Sequence, residues 1–179
     1  MKNIILNNKK YFFEDNKGKT KAFLIRSKNR KINKKMINDM IKITKKTRST
    51  IRLCLHQSTK DTHHSMIIID YKYNYLDPHF HLKTSETHQP IVGKLGVAVF
   101  SKKGKIIKKY ILDGKNNFLD RLEEGECHLL LPITNFVIYH ETNRGKFNRK
   151  KPDMHVPKWF KNLSLQKKKF FFSNLYKIF

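Results

Sequence analysis

Asp77-Pro-His-Phe-His-Leu-Lys-Thr-Ser-Glu-Thr-His-Gln-Pro-Ile-Val-Gly93 is the stretch on which the fold turns. Side chains alternate between the faces of a strand, so His79 and His81 project the same way with Phe80 opposite. Two imidazoles on one face can hold one metal ion. Glu86 follows His81 after four intervening residues, enough for a tight connection that returns a carboxylate from the next strand over the same ion. His128, separated by two residues from the turn residue Gly125, offers a third imidazole from a later strand. Three neutral nitrogens and one carboxylate make a site open on one side, with bonds of about 2.0–2.2 Å. That donor set suits Fe(II), Mn(II), Ni(II) or Zn(II), so the expected cofactor is one divalent transition metal of open identity.

On either side of this stretch, from Arg52 to Glu141, short β-type runs alternate with turn chemistry. Strands are expected at Arg52–His56, Ser65–Tyr71, Tyr75–His81, Pro90–Ser101, Lys105–Asp113, Phe118–Leu122, Cys127–Ile133 and Phe136–Glu141. Asn74, Lys102-Lys-Gly104, Asp113-Gly114, Glu124-Gly125 and Thr134-Asn135 supply the turns between them. Many short strands at this spacing predict a mainly β sandwich or barrel.

Beyond the strands the patterns change. In Lys34–Lys46, Met36, Met40 and Ile43, with Ile37 and Ile41 beside them, recur at helical spacing and predict an amphipathic helix. After Pro157 the chain carries its only tryptophan, Trp159, and a basic, aromatic tail. There Leu163, Leu165, Phe170–Phe172, Leu175 and Phe179 would form one helical stripe opposite the lysines. Such a stripe packs on the body of the protein or a second subunit, lies on an anionic membrane or a partner surface, or stays disordered. The expected organisation is a basic arm and helix over 1–50, a barrel over 51–160 and a tail over 161–179.

Charge and composition narrow the function. The 179 residues carry a net charge of +25, gathered at +14 in residues 1–56 and +10 in 144–179, while 57–143 is nearly neutral at +1. Eight of the nine histidines lie between positions 56 and 140, so histidine and positive charge occupy different parts of the chain. The basic residues are 32 Lys against only 7 Arg, and no helix-turn-helix, zinc-finger or RNA-binding motif accompanies them, which speaks against nucleic acid as the partner. No apolar run approaches the roughly 18 residues of a spanning helix, and the apolar stretch near Met1 is far short of the roughly 7–15 of a secretory signal, so a cytoplasmic location is expected. Two cysteines, Cys54 and Cys127, make no disulfide framework.

The spacing of His79, His81, Glu86 and Gly93, followed by Gly125-x-x-His128, resembles the two-part pattern of the cupin superfamily. The second part departs from it at Glu123 and Pro132, where cupins usually show Pro and many show Asn. Arg52-Leu-Cys-Leu-His56, Asp61-Thr-His-His-Ser-Met66, Tyr75–His81, Val97–Phe100 with Gly104, Tyr139–Phe147 and Pro157-Lys-Trp159 resemble, in the same order, the WbuC-type cupin-fold metalloproteins over about residues 50–160. The resemblance implies a double-stranded β-helix (jelly-roll barrel) with a metal held by His79, His81, Glu86 and His128 in its mouth. Genes of that family often accompany O-antigen and other surface-polysaccharide genes, so a sugar-type small molecule is the implied ligand, without an established reaction. Many cupins pair, so a homodimer is a further expectation.

Around the metal the residues themselves offer several roles. Arg52, Cys54 and His56 share one strand face. If that face lines the mouth, Arg52 can clamp a phosphate or carboxylate and His56 can act as acid or base; otherwise the face is simply solvated. His64, beside the core residue Met66, is a candidate ligand contact. His88, two residues after Glu86, is a candidate catalytic residue if it points inward with it and otherwise a packed histidine, and Glu141 is a candidate acid or base on a late strand, with His140 turned the other way. Cys127 should face away from the metal as a small buried residue. Three functions stay open: a metal-dependent sugar isomerase or epimerase, a sugar-binding or regulatory module using the same pocket, and an anionic-surface binder working through the basic ends.

Overall fold

Every residue of β7 (Leu95–Phe100) and β10 (Cys127–Pro132) is buried, which requires sheets covered on both faces. The computed structural model describes residues 5–15, 18, 20–28, 30–74, 76–148 and 150–179. It shows how that cover arises. The larger sheet contains β1 (Phe12–Asp15), β2 (Lys21–Ile25), β3 (Ile51–Cys54), β4 (His63–Tyr71), β6 (Glu86–Val92), β9 (Asp120–Leu122) and β11 (Phe136–Arg144), in the spatial order β1-β2-β3-β4-β11-β6-β9. Opposite it lies β10-β7-β8, with β8 at Ile106–Leu112. The short pair β5 (Phe80–His81) and β12 (Met154–His155) continues this second layer, because a bridge between His79 and His128 joins it to β10. The layers face each other but do not close into one continuously bonded barrel.

Alternation sorts the side chains into three apolar layers. Between the sheets lie Cys54, Met66, Ile68, Val97, Val99, Leu122, Leu130, Val137 and Tyr139. On the outer face of the larger sheet, Phe23, Leu53, Ile67, Ile69 and Ile138 meet Met40 and Ile43 of the helix α1 (Lys34–Thr47). On the outer face of the smaller sheet, Ala98, Phe100, Cys127, Leu129 and Leu131 meet Phe160 of α2 (Lys158–Lys161) and Phe172 and Leu175 of α3 (Leu165–Lys177). Cys127 therefore faces away from His128, and neither cysteine is bridged.

The helix α1 follows its sequence pattern closely. Asn33 caps it by accepting the Met36 N–H at 3.1 Å, and Arg48, in the left-handed region at φ 52°, closes it by donating its N–H to Thr44 at 2.7 Å. The tail is helical too, but its stripe is narrower than the sequence suggests. Leu165 is 80% and Phe170 68% exposed, whereas Phe172 and Leu175 are buried. Among the described residues no helix is long and apolar enough to cross a membrane.

Beyond shifts of a few residues at strand ends, two expected strands are recast. The run expected as one strand, Pro90–Ser101, is two, because the chain crosses between sheets at Gly93. That residue sits at φ +83°, and a Cβ there would lie 2.5 Å from both the Phe136 carbonyl oxygen and Thr134 Oγ1. The strand expected at 75–81 is reduced to Phe80–His81, with His79 in an isolated bridge. Tyr75, where it was to begin, lies outside the described residues, as do the first four residues of the chain.

Candidate metal centre

The cluster begins in the register of β5 and β10. His79 and His128 exchange backbone hydrogen bonds of 2.9 and 2.8 Å, which sets their side chains on the same inner face. Their ring centroids are 4.5 Å apart, and the His81 ring lies 5.2 Å from His79 and 6.0 Å from His128. Glu86, the first residue of β6, enters from the opposite sheet. Its Oε1 is 3.2 Å from His81 Nε2 and its Oε2 is 3.3 Å from His128 Nε2. One ligand atom from each of these four residues falls within 4.8 Å of all the others.

The donor set fits a metal ion on three counts. His79 Nδ1 donates to the Asp77 carbonyl at 3.0 Å and His128 Nδ1 to the Glu126 carbonyl at 2.9 Å, which leaves each Nε2 with a free lone pair. The Nε2 atoms of His81 and His128 are buried, close to Glu86, yet not aligned to hydrogen-bond it. Buried polar atoms without partners are costly, and an ion satisfies them. An ion bonded at about 2.0–2.2 Å spans at most about 4.4 Å between opposite ligands, so the cluster is within a few tenths of an ångström of closing on one.

Protonation favours ligation at His79 and Glu86. Burial, reinforced by His128, pushes His79 down to about 3 and keeps its imidazole neutral. Burial pushes the Glu86 carboxyl up, but the imidazoles of His128 and His81 outweigh it and hold the group well below the usual carboxylate range. Burial also lowers His81, and Glu86 more than reverses this, so His81 is raised.

The strand carrying His81 is held from the C-terminal side. Met154 pairs with His81, the His155 ring stacks on Phe80 at 5.4 Å, and Asp153 accepts the N–H groups of Leu82 and Lys83 at 3.1 and 2.9 Å. The connection from His81 to Glu86 is thereby fixed at its start.

Register places the other candidates in rows across the inner face of the larger sheet. One row reads Cys54, Met66, Glu141, His88, Asp120; the next, nearer the histidine cluster, places His64, Asn143, Glu86 and Leu122 side by side. His88 and Glu141 are thus brought beside the cluster: His88 Nε2 is 3.8 Å from Glu86 Oε2 and 3.9 Å from Glu141 Oε2. Burial, then Glu86, raises the Glu141 carboxyl to about 7. Burial opposes charge on His88, but Asp120 and Glu141 outweigh it and raise that group as well. His140 points outward, as alternation requires, and meets Ser65 Oγ at 2.8 Å.

His56 and His64 stack on each other, with centroids 4.2 Å apart and planes at 11°. His64 stands two strands from Glu86, with Asn143 between them, about 10 Å along the sheet, and His56 lies on the far side of it. His64 Nε2 is 3.0 Å from the Asp61 carbonyl, so one of its nitrogens is already engaged. Arg52, opposite Ile68, lies one row beyond Cys54 and Met66. Its Nε is buried without a hydrogen-bond partner, its Nη2 is 3.5 Å from the Thr20 carbonyl, and its charge acts on Cys54, His56, His64 and Glu141. Cys54, pushed up to about 12 by burial, stays a thiol.

The His56 environment has a consequence for stability. Burial, then the neighbouring His64, lowers His56 from 6.5 to about 4. The folded state therefore binds this proton less readily than the unfolded chain, and the stability it contributes is present above pH 6.5 and lost as pH falls towards 4. In His56→Asn, the drop in unfolding free energy between pH 7 and pH 4.5 is expected to be smaller than in wild type. Urea titrations at the two pH values measure it, and an unchanged drop would disprove the assignment.

Asp120, Tyr110, Asn143 and Asp153 are not singled out by the sequence. Asp120 sits in an expected strand with Leu122 on the same face, but only the pairing of β9 with β6 shows that this face meets His88.

Comparison with known proteins agrees with this architecture. A family described as a domain of unknown function (DUF6016) matches residues 32–112, less than half of the chain. No curated protein sequence matches. Among solved structures, the capsular polysaccharide assembling protein CapF from Staphylococcus aureus is similar, with a TM-score of 0.51 and 16% identity over 60% of this chain and 31% of that one. CapF bound to the inhibitor 3-isopropenyl-tropolone gives 0.50 with the same identity and coverage. A recombinant oxalate oxidase in complex with glycolate is a weaker likeness, at 0.42 and 11% identity over 53% of this chain and 46% of that one. The chain thus spans about a third of the length of CapF. Two facing sheets, helices at both ends and the likeness to CapF show a mainly β, cupin-like fold.

Proposed function

We propose that the chain is a WbuC-type metal-binding cupin, acting in the cytoplasm, that binds or modifies a sugar or nucleotide-linked sugar in bacterial surface-polysaccharide (O-antigen) biosynthesis. The observation that carries this reading is the convergence of His79, His81, Glu86 and His128 in a wall that also holds Arg52, His64, Asn143 and Glu141. The likeness to CapF, named for capsular polysaccharide assembly, supports the choice of sugar chemistry.

When bound, the ion supplies Lewis-acid polarisation of a ligand oxygen. The chain supplies the rest. Arg52, whose buried Nε has no hydrogen-bond partner, attracts and orients an anionic group such as a phosphate. Glu141 and His88, both raised and 3.9 Å apart, can hold a proton between them and exchange it with a ligand hydroxyl.

Calorimetric titration of protein loaded with Zn(II), Mn(II), Fe(II) or Ni(II) tests the reading. The probes are nucleoside-diphosphate sugars, the nucleoside diphosphate and the free sugar. Nucleotide sugars are expected to bind, and Arg52→Met to weaken them by the roughly 1.5–3 kcal/mol of a charge-assisted hydrogen bond, about 10- to 150-fold. If no nucleotide sugar or free sugar binds the loaded protein, the proposal fails. Product analysis of the same mixtures separates a sugar-modifying enzyme from a binding module.

A further inference from the structure

Behind the four-residue cluster a polar chain runs into the apolar core between the sheets. Tyr110 of β8 donates its hydroxyl proton to Asp120 Oδ2 at 2.7 Å. Asp120 Oδ1 accepts the backbone N–H of His88 at 3.2 Å and lies 3.0 Å from the Nδ1 of the same residue. His88 is completely buried, and its Nε2 has no hydrogen-bond partner. Three strands, β6, β8 and β9, contribute one residue each to this chain. The surroundings are the inner core residues Val97, Leu112 and Leu122, where apolar side chains would pack at less cost.

The asymmetry of the His88 ring is informative. An ionised carboxylate only accepts hydrogen bonds, so the nitrogen facing Asp120 must carry a proton. The Tyr110 hydroxyl takes the second carboxylate oxygen and fixes the plane of the group. The other ring nitrogen is turned towards Glu86 Oε2 and Glu141 Oε2, at 3.8 and 3.9 Å, on the side of the metal cluster. One edge of the imidazole is fully engaged by the wall, and the opposite edge is presented to the pocket.

We propose that Asp120 and Tyr110 are positioning residues that lock His88 with its proton on Nδ1 and its Nε2 facing the pocket, as a hydrogen-bond acceptor for a ligand hydroxyl. The role assigned to that acceptor rests on the proposed ligand pocket, whereas the lock itself does not. It is a property of the metal-free protein.

The test is two-bond 1H–15N correlation spectroscopy of the imidazole rings in metal-free protein, with His88→Gln identifying the His88 signals. Wild type is expected to show His88 protonated at Nδ1, with slow exchange of that proton with water. Asp120→Asn places an amide that can donate against Nδ1, so the form protonated at Nε2 should appear. Tyr110→Phe removes one oxygen without changing the ring packing; it should keep Nδ1 protonated but speed exchange of that proton at least tenfold. Asp120→Glu should restore the wild-type form in part. A wild-type ring protonated on Nε2 alone overturns the proposal, as do Asp120→Asn and Tyr110→Phe spectra identical to wild type. Should Asp120→Asn fail to fold, Tyr110→Phe still decides. Adding Zn(II) afterwards separates the two readings: absence of uptake counts against the metal site and leaves the ring assignment standing.

Discussion

The His79→Ala/His81→Ala double variant is expected to lose metal while keeping its fold. Replacing a residue that merely supports a metal ligand costs about 10- to 100-fold in affinity, so removing two ligands should cost at least about 100-fold. The backbone bonds between His79 and His128 do not involve the imidazoles and survive the substitutions. Removing two buried imidazoles also relieves Glu86 of one of the groups that hold its proton off, so its carboxyl should titrate higher in the variant. Metal content by mass spectrometry on protein purified without a histidine tag measures the loss, with circular dichroism as the control for folding. A wild-type protein that takes up no Fe(II), Mn(II), Ni(II) or Zn(II) on reconstitution, or a folded variant that retains metal, would sink the metal assignment.

Much of this centre is legible in the chain because local alternation decides it. His79 and His81 flank Phe80, and a two-residue period puts both imidazoles on one side even though the strand there is only Phe80–His81. Alternation also separates Cys127 from His128, and His140 from Glu141. Pairing across strands is not local, and the sequence does not carry it. Arg52, Glu141 and Asp120 each sit on an inward face, yet their placement relative to Glu86 depends on the register of β3, β4, β11, β6 and β9, which only the assembled sheet defines. The break at Gly93 belongs to the same class: the approach of the Phe136 carbonyl that forbids a side chain there comes from more than 40 residues away. The tail shows a different limit, since periodicity gives a stripe of apolar residues without saying how wide a surface awaits it.

That width makes the tail's contribution measurable. Phe160 is fully buried and its ring lies 5.2 to 5.9 Å from those of Trp159, Phe171 and Phe172, while Trp159 packs over the turn at Gly104. Phe160→Ala is expected to destabilise the protein by about 3–5 kcal/mol, the usual cost of emptying a buried aromatic site. In a chain of 179 residues that lowers the thermal midpoint by about 6–20 °C. Phe170→Ala, at a position 68% exposed on the same tail, should change stability by no more than about 0.5 kcal/mol. Thermal denaturation of the two variants beside wild type decides between a tail that seals the outer face of the smaller sheet and one held in reserve for another surface. Equal, small effects would mean the helices contribute little to the fold. A large loss confined to Phe160→Ala would make them the cover without which Leu129 and Leu131, on the strand that carries His128, face water; the candidate metal centre would then depend on residues that lie well outside it.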